Sequence, residues 1–177
     1  MSFDAAIYRM EVDDEILPET VSSVTVYRNV ARASHVGLEL SARTRVRRSL
    51  SIEGTYAWSR FILDDYGAFS GHRLPGVPAH AGTVRAAYTH ASGWDGSASL
   101  VLAGRTFVND ANTEAAGGYA VMSASVGYRA GRMRLYVRGE NLGDSRYTSR
   151  PQINDASGFF YYPAPGRHGS AGVEVGW

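Results

Sequence analysis

Apolar and polar residues alternate with a period of two along almost the whole chain, and this feature constrains the fold more than any other. Within residues 132–142, the odd positions from 133 to 139 are apolar or glycine, whereas the even positions from 134 to 140 are Arg134, Tyr136, Arg138 and Glu140. Such alternation indicates a β-strand that lies between two different environments. The pattern occurs in residues 3–12, 35–43, 50–59, 80–88, 94–108, 119–128, 132–142 and 169–177. The sequence therefore predicts eight strands, and only in residues 3–12 is the apolar face not evident.

The connections between these segments alternate between short and long. Three are tight, at residues 47–49, 91–93 and 130–131, and four are long, at residues 13–23, 64–79, 109–118 and 148–166. Outer-membrane barrels have short periplasmic turns and long extracellular loops, whereas a soluble sandwich has no such requirement. Tyr88, Trp94, Tyr128 and Trp177 all fall on the apolar face at the end with the tight turns. This placement is typical of an aromatic girdle at a membrane interface.

Composition and motifs exclude several functional classes. The net charge of +1 leaves no basic surplus for binding nucleic acid. Cysteine is absent, which excludes disulfides, thiol catalysis and cysteine-based zinc sites. The five histidines have no metal-ligand spacing, and no phosphate-binding loop or nucleophile elbow is present. We therefore expect neither an enzyme, nor a metal site, nor a cofactor.

Several short strings carry a more specific signal. These are NVARASHVGLEL at 29–40, RLPGVP at 73–78, FVNDANT at 107–113, GGY at 117–119, RGENLGDSRY at 138–147 and YYPAPGR at 161–167. Together they resemble the C-terminal β-barrel of TonB-dependent outer-membrane receptors of the siderophore-receptor type. The sequence departs from the family at Gly143, where an aromatic residue is common, and at Trp177, where Phe is usual.

The resemblance implies an all-β fold, an antiparallel transmembrane β-barrel segment of about eight meandering strands that resemble the last eight of a 22-strand barrel. Residues 1–177 would form one domain, the C-terminal part of the barrel, and the plug domain and TonB box are expected to be absent. An eight-strand arc would have two unpaired edges, which lipid does not tolerate. The chain is therefore expected to be a fragment of a receptor in the outer membrane of a Gram-negative bacterium.

The resemblance also implies a function and partners. The chain would be part of an active transporter for ferric siderophores or a similar large, scarce nutrient. Its partners would be outer-membrane lipid, the ligand, a TonB-type energy-coupling complex reached through the missing plug, and the barrel assembly machinery. The terminal strand, with Val173, Val175 and Trp177, resembles the signal that this machinery recognises.

Ligand contacts are expected on the extracellular loops. The aromatic candidates are Tyr66, Phe69, Phe159, Phe160, Tyr161 and Tyr162, and Arg73 and Arg167 are the candidates for anionic groups. An alternative is that residues 159–162 only border the membrane at the top of a strand. Two other functions remain open, namely a complete small eight-strand barrel of the anchor or adhesin type, and a soluble β-sandwich lectin. The sequence does not identify the substrate.

Overall fold

The computed structural model describes residues 1–22, 24–155 and 161–176, and it is dominated by one antiparallel sheet. Eight strands form this sheet: β1 (Ser2–Val21), β2 (Val24–Arg47), β3 (Leu50–Asp65), β4 (His80–Thr89), β5 (Trp94–Ala103), β8 (Tyr119–Ala130), β9 (Met133–Glu140) and β12 (His168–Val175). Two short ribbons lie outside the sheet, β6 (Thr106–Phe107) with β7 (Ala115–Ala116), and β10 (Thr148–Pro151) with β11 (Tyr161–Pro163). The sheet strands follow one another in chain order, so the topology is the expected meander.

Helix is limited to one short turn in the part of the chain that the structure describes. This 3-10 turn spans Gly67–Phe69. Among the described residues, no helix has the length and apolarity that crossing a membrane would require.

The pairing of the strands confirms the predicted faces. One face, here called the outer face, is apolar, with pairs such as Leu38 with Trp58, Val84 with Leu100, and Val126 with Val137. The other, the inner face, is polar: Thr55 and Thr83 share a hydrogen bond of 2.7 Å, and Ser97 and Ser125 one of 2.9 Å. Paired residues point to the same side of a sheet. Each pair therefore shows that the neighbouring strand places its apolar and polar residues on the same two faces.

Strand pairing also assigns the face that the sequence left open in residues 3–12. Phe3, Ala5 and Ile7 pair with Ala42, Leu40 and Leu38, all of which lie on the outer face. Asp4 pairs with Ser41 of the inner face and accepts a hydrogen bond of 3.4 Å from its hydroxyl. The first segment therefore has the same two faces as the other seven.

Aromatic residues border the outer face at two levels. At the end with the tight turns, here called the turn end, the rings of Trp94 and Tyr128 are 5.0 Å apart. At the opposite end, the loop end, Trp58 pairs with His80, and the Tyr56 hydroxyl lies 2.8 Å from Nδ1 of His80. On β4, eight residues separate His80 from Tyr88, which lies near the turn end, or about 27 Å along the strand. With the usual tilt this spacing approaches the roughly 25 Å apolar band of an outer-membrane barrel.

The prediction of a long loop at residues 13–23 was wrong. β1 and β2 remain paired from Asp13 with Arg32 to Val21 with Val24, so this connection is a tight turn at the tip of a tall hairpin. The charged residues that suggested a loop are compatible with strand because this part extends beyond the apolar band, where Arg28 and Glu19 form an exposed ion pair of 3.2 Å. The connection between β1 and β2 is therefore short and not long, so the predicted alternation of short and long connections does not hold there.

The prediction that one strand spans residues 94–108 was also wrong at its end. β5 stops at Ala103, after which Gly104 N donates to His80 O at 2.8 Å and the chain leaves the sheet. Val108 is not on the outer face but is completely buried among the loops. The predicted loops at 109–118 and 148–166 contain strand residues of the two ribbons. Such ribbons of two to four residues are too short for a period of two to be recognised.

Candidate functional site at the loop end of the sheet

A small hydrophobic cluster lies at the loop end. Leu17 of β1, Leu63 of β3 and Leu74 of the β3–β4 connection are buried together. Four partly buried residues pack against them, namely Phe61, Tyr66, Phe69 and Val77. The cluster joins the outer part of the β1–β2 pair, residues 13–32, here called the first hairpin, to the β3–β4 connection, residues 66–79.

β1 contains one residue with an unusual backbone conformation, three positions before Leu17. Asp14 has a φ of 60°, which is a left-handed conformation that short polar side chains adopt more readily than others. Before it, Phe3, Ala5 and Ile7 are on the outer face. After it, Leu17 packs on Leu63, and Glu15 Oε2 lies 3.4 Å from Nε2 of His35. His35 in turn stacks on Phe61 with ring centroids 4.1 Å apart.

Asn112 links the β3–β4 connection to the β5–β8 connection, residues 104–118. Its Oδ1 accepts a hydrogen bond of 2.8 Å from the main-chain N of Arg73, and its Nδ2 donates one of 2.9 Å to the main-chain O of the same residue. The Asn112 amide thus makes both main-chain hydrogen bonds that a neighbouring strand would otherwise make with Arg73. Asn112 also has a positive φ of 55°, which Asn tolerates better than most residues.

Asn154 makes the corresponding links from the β9–β12 connection, residues 141–167. Its Oδ1 accepts a hydrogen bond of 3.0 Å from the main-chain N of Asp110, and its Nδ2 donates one of 2.9 Å to the main-chain O of Pro18. Its own main-chain N donates to Val108 O at 2.9 Å. Asn154 therefore holds the first hairpin, the β5–β8 connection and the β9–β12 connection together.

Asp110 lies where these elements meet. Its main-chain O is 2.8 Å from Nδ1 of His72, and because a carbonyl can only accept, this ring nitrogen is the donor. The residue is only 6% exposed, and among the described residues its Oδ1 has no hydrogen-bond partner. An ionised carboxylate in such a place is incompletely compensated, which is costly.

The electrostatics of this junction follow from burial. Burial raises the pKa of the Asp110 carboxyl, and the charge of Glu19 acts in the same direction, whereas hydrogen bonds with Asn154 and Tyr66 and the nearby His72 lower it. Burial, followed by the charge of Asp110, raises the pKa of Tyr66 to about 12. Tyr66 is therefore a neutral donor at any physiological pH.

The inner face carries charged side chains in ion pairs. Arg43 donates to Glu53 across β2 and β3, with Nε 2.9 Å from the carboxylate. Arg134 of β9 reaches Asp95 of β5 at 2.6 Å and Glu174 of β12 at 3.0 Å. A groove of about 570 Å³ near the turn end is lined partly by Arg43, Arg45, Glu53 and Arg85. Among the described residues, no cluster of three or more His, Cys, Asp or Glu side chains is placed to hold a metal ion.

The predicted ligand contacts fall into different environments. Tyr66 and Phe69 lie together, with ring centroids 5.6 Å apart, but they pack into the hydrophobic cluster. Arg73 binds Asn112 through its main chain, and its Nη1 lies 3.4 Å from the main-chain O of Ser59. Tyr66 and Phe69 are thus brought together at the foot of the loops, and a contact between any of these three residues and a ligand stays a prediction.

The remaining predicted residues lie on the β9–β12 connection and β12. Tyr161 is 37% and Tyr162 50% exposed; the Tyr161 hydroxyl donates to Ala115 O at 3.2 Å, and the Tyr162 hydroxyl accepts from Gln152. Arg167 is exposed, and its main-chain N donates to Asp144. Val173 and Val175 lie on the outer face opposite Leu135 and Met133. Phe159, Phe160 and Trp177 lie outside the described residues.

Sequence reasoning missed the residues that organise the loop end. Asn-Asp pairs such as those at 109–110 and 154–155 are common turn formers. Here the Asn154 side chain and the main chain of Asp110 join separate connections. The local sequence does contain a signal, because Asn in a loop often adopts a positive φ and caps main-chain groups. It contains no signal that residues 110 and 154 are neighbours.

Comparisons with known proteins agree with this geometry. The profile of the family described as "TonB dependent receptor-like, beta-barrel" matches residues 1–142. Among solved structures, the siderophore receptor PiuA from Acinetobacter baumannii has a TM-score of 0.83 at 22% identity, with 98% of this chain and 26% of that chain covered. The ferric yersiniabactin uptake receptor FyuA from Yersinia pestis has a TM-score of 0.82 at 22% identity, with 98% and 27% covered. The copper transporter OprC has a TM-score of 0.76 at 21% identity, with 99% and 29% covered. The chain thus spans between a quarter and a third of the length of these proteins.

Proposed function

Because this chain belongs to the TonB-dependent receptor-like β-barrel family, we propose that it forms part of the barrel wall of an outer-membrane active transporter for ferric siderophores or a similar large, scarce nutrient. The family is one of transporters in the outer membrane of Gram-negative bacteria, not of enzymes. The transport activity belongs to a whole receptor, of which this chain corresponds to about a quarter.

The observation that carries this proposal is the two-faced sheet. Its outer face is apolar between two aromatic levels, at Trp94 and Tyr128 and at Tyr56 and Trp58. Its inner face is polar and carries ion pairs. A closed transmembrane barrel with a polar interior requires this arrangement, since every strand must satisfy lipid on one side and water or protein on the other.

The inner face favours a wide barrel over the alternative of a complete eight-strand barrel. A barrel of eight strands has an interior just wide enough for its own side chains to fill. Here, the inner face of β4, β5 and β8 carries mostly small residues, namely Ala81, Thr83, Ala87, Ser97, Ser99, Ser123, Ser125 and Gly127. Small side chains over three neighbouring strands leave room for a lumen that accommodates a plug or a ligand.

The proposed substrate class is an iron chelate. Structural neighbours include receptors for siderophores, ferric yersiniabactin and ferric citrate, and also a copper transporter, so the fold alone does not select a cargo. Of the described candidates, Tyr161, Tyr162 and Arg167 are the most exposed, and we propose them as ligand contacts, with Tyr66, Phe69 and Arg73 supporting the loops beneath them. Phe159 and Phe160 adjoin this group in sequence.

The proposed partners follow from the same assignment. Energy would come from a TonB-type complex acting through a plug domain, and lipid would cover the outer face. Val173 and Val175 alternate along β12 towards Trp177, a pattern that we propose is recognised by the barrel assembly machinery.

Uptake by cells tests the proposal. In the organism that encodes the chain, the segment for residues 1–177 is deleted in frame, and uptake of radioactive iron is measured with hydroxamate, catecholate and citrate chelates. We expect uptake of one chelate to fall to the level seen with a protonophore, and to recover when the segment is restored. Unchanged uptake of all three chelates by the deletion strain would contradict an iron-chelate transporter.

A further inference from the structure

The four elements at the loop end meet in one joint. Asp110 contributes both main-chain groups, its N to Asn154 and its O to His72. Asn154 reaches onward to Pro18 of the first hairpin, and Asn112 joins Arg73 two residues further along the β5–β8 connection. Residues far apart in sequence are therefore held by side-chain amides rather than by a sheet.

The joint contains a charge that the surrounding elements compensate only in part, through hydrogen bonds with Asn154 and Tyr66 and through the nearby His72. The charged and titratable groups that act on Asp110 are Glu19 from β1, and Tyr66 and His72 from the β3–β4 connection. Glu19 has the same sign as Asp110, and Arg28 is already paired with Glu19 at 3.2 Å in an exposed position. The buried Oδ1 of Asp110 has no hydrogen-bond partner among the described residues. Removing the charge would therefore stabilise the joined arrangement.

We propose that Asp110 and Asn154 form a latch that holds the first hairpin and the three long connections as one unit, and that this latch is more stable when Asp110 carries a proton. The inference goes beyond the proposed function, because it concerns the loops and not the transported molecule. Opening the latch would expose the Asp110 carboxylate to water, and it would release the three connections that border the proposed ligand contacts.

The direction of the pH effect follows from burial. Burial raises the pKa of Asp110 in the closed latch above its value in an open, hydrated one. If a group binds its proton more tightly in one state of the protein than in another, lowering the pH stabilises the first state relative to the second. The closed latch therefore gains stability as the pH falls through the raised pKa of Asp110, and it loses that stability at higher pH. Tyr66 does not contribute, because it stays protonated throughout this range.

Hydrogen exchange of the intact protein that contains this chain tests the latch. Exchange at residues 72–77 and 107–114 is measured at about pH 4, near the ordinary pKa of Asp, and at about pH 7.5. The rates are corrected for intrinsic exchange, with β4, β5 and β8 as the internal reference for folding. We expect greater protection at the lower pH. In Asp110→Asn, which keeps the shape and removes the charge, we expect high protection at both pH values. Asp13→Asn, at an exposed position of β1, is the matched control.

A second variant tests the role of Asn154. Asn154→Asp keeps an acceptor for the Asp110 N–H, but it loses the donor to Pro18 and adds a negative charge beside Asp110. We expect exchange at residues 107–114 and in the first hairpin to become about tenfold faster, whereas exposed Asn29→Asp leaves it unchanged. Equal protection of the unmodified protein at both pH values would overturn the latch. An unchanged pH dependence in Asp110→Asn would also overturn it, because a group other than Asp110 would then be responsible.

Discussion

Asn112 shows how a single residue can take over the role of a strand pair in this protein. Its amide satisfies both main-chain groups of Arg73, and its φ of 55° places it where a β-branched residue would be strained. Position 112 therefore requires a residue that tolerates a positive φ and that also forms hydrogen bonds with Arg73. Substitutions can test these two requirements separately.

Replacing Asn112 by Gly isolates the hydrogen bonds, since Gly accepts a positive φ but has no amide side chain. The main-chain groups of partly buried Arg73 would lose their partners, and we expect the joint between the two connections to lose about 1–3 kcal/mol. Hydrogen exchange at residues 72–77 and limited proteolysis of the folded protein would measure this. Exchange as slow as in the unmodified protein would show that the two bonds contribute little.

The apolar face can be tested with two adjacent residues of similar chemistry. Leu100 pairs with Val84 and Met122 on the outer face, about midway between the aromatic levels, whereas Val101 pairs with Thr83 and Val121 on the inner face. We expect Leu100→Arg to cost about 2–4 kcal/mol and Val101→Arg less than about 1 kcal/mol. Unfolding monitored by the heat-dependent gel mobility of the membrane protein would measure both. Equal losses in the two variants would contradict the assignment of faces.

At the level of elements, the sequence predicted the strands where both environments act on the chain. In the seven sheet strands after β1, the apolar face was evident because an apolar environment on one side and a polar one on the other impose a period of two. Beyond the apolar band this constraint disappears, so the charged outer half of β1 was taken for a loop. The contacts of Asp110, Asn112 and Asn154 at the loop end were not predictable for a related reason, since they depend on which connections lie side by side in the fold.

Two glycines of the inner face have a tyrosine ring lying over them. A Cβ at Gly172 would come within 2.6 Å of the Tyr136 hydroxyl, and one at Gly37 within 2.3 Å of the Tyr8 ring. These pairs occur in the β9–β12 and β1–β2 pairings, which are the last and first of the sheet. Aromatic rings placed over glycines in this way fix strand register.

We therefore expect Gly172→Ala to displace the Tyr136 ring and to destabilise the β9–β12 pairing by about 1–3 kcal/mol. Gly54→Ala is the matched control, because the nearest atom to its Cβ would be 3.7 Å away, an ordinary contact. Hydrogen exchange of the amides of β9 and β12 in the folded protein gives the measurement. Similar exchange in both variants would show that the Tyr136 ring does not constrain this pairing.

At the level of the whole molecule, the absence of a large core is informative. The described residues include only six buried hydrophobic side chains, of which three lie in the loop-end parts of β1, β2 and β3 and three in the connections and the short ribbon. Large apolar residues such as Ile7, Val137 and Val173 are more than half exposed. A soluble β-sandwich would bury one face of each sheet, so the soluble lectin considered from the sequence does not agree with this surface. This surface supports the proposal that lipid covers the outer face.

The most direct test of this account is the environment of successive residues along β5. Because the chain contains no cysteine, single cysteines at positions 96–102 can be spin-labelled without background in the intact protein in outer-membrane vesicles. We predict that labels at the even positions, which lie on the outer face, are relaxed mainly by oxygen dissolved in lipid. Labels at 97, 99 and 101, on the inner face, should show little access to lipid. Water accessibility at all seven positions, or an absence of alternation, would contradict a membrane-spanning strand and with it the proposed transporter.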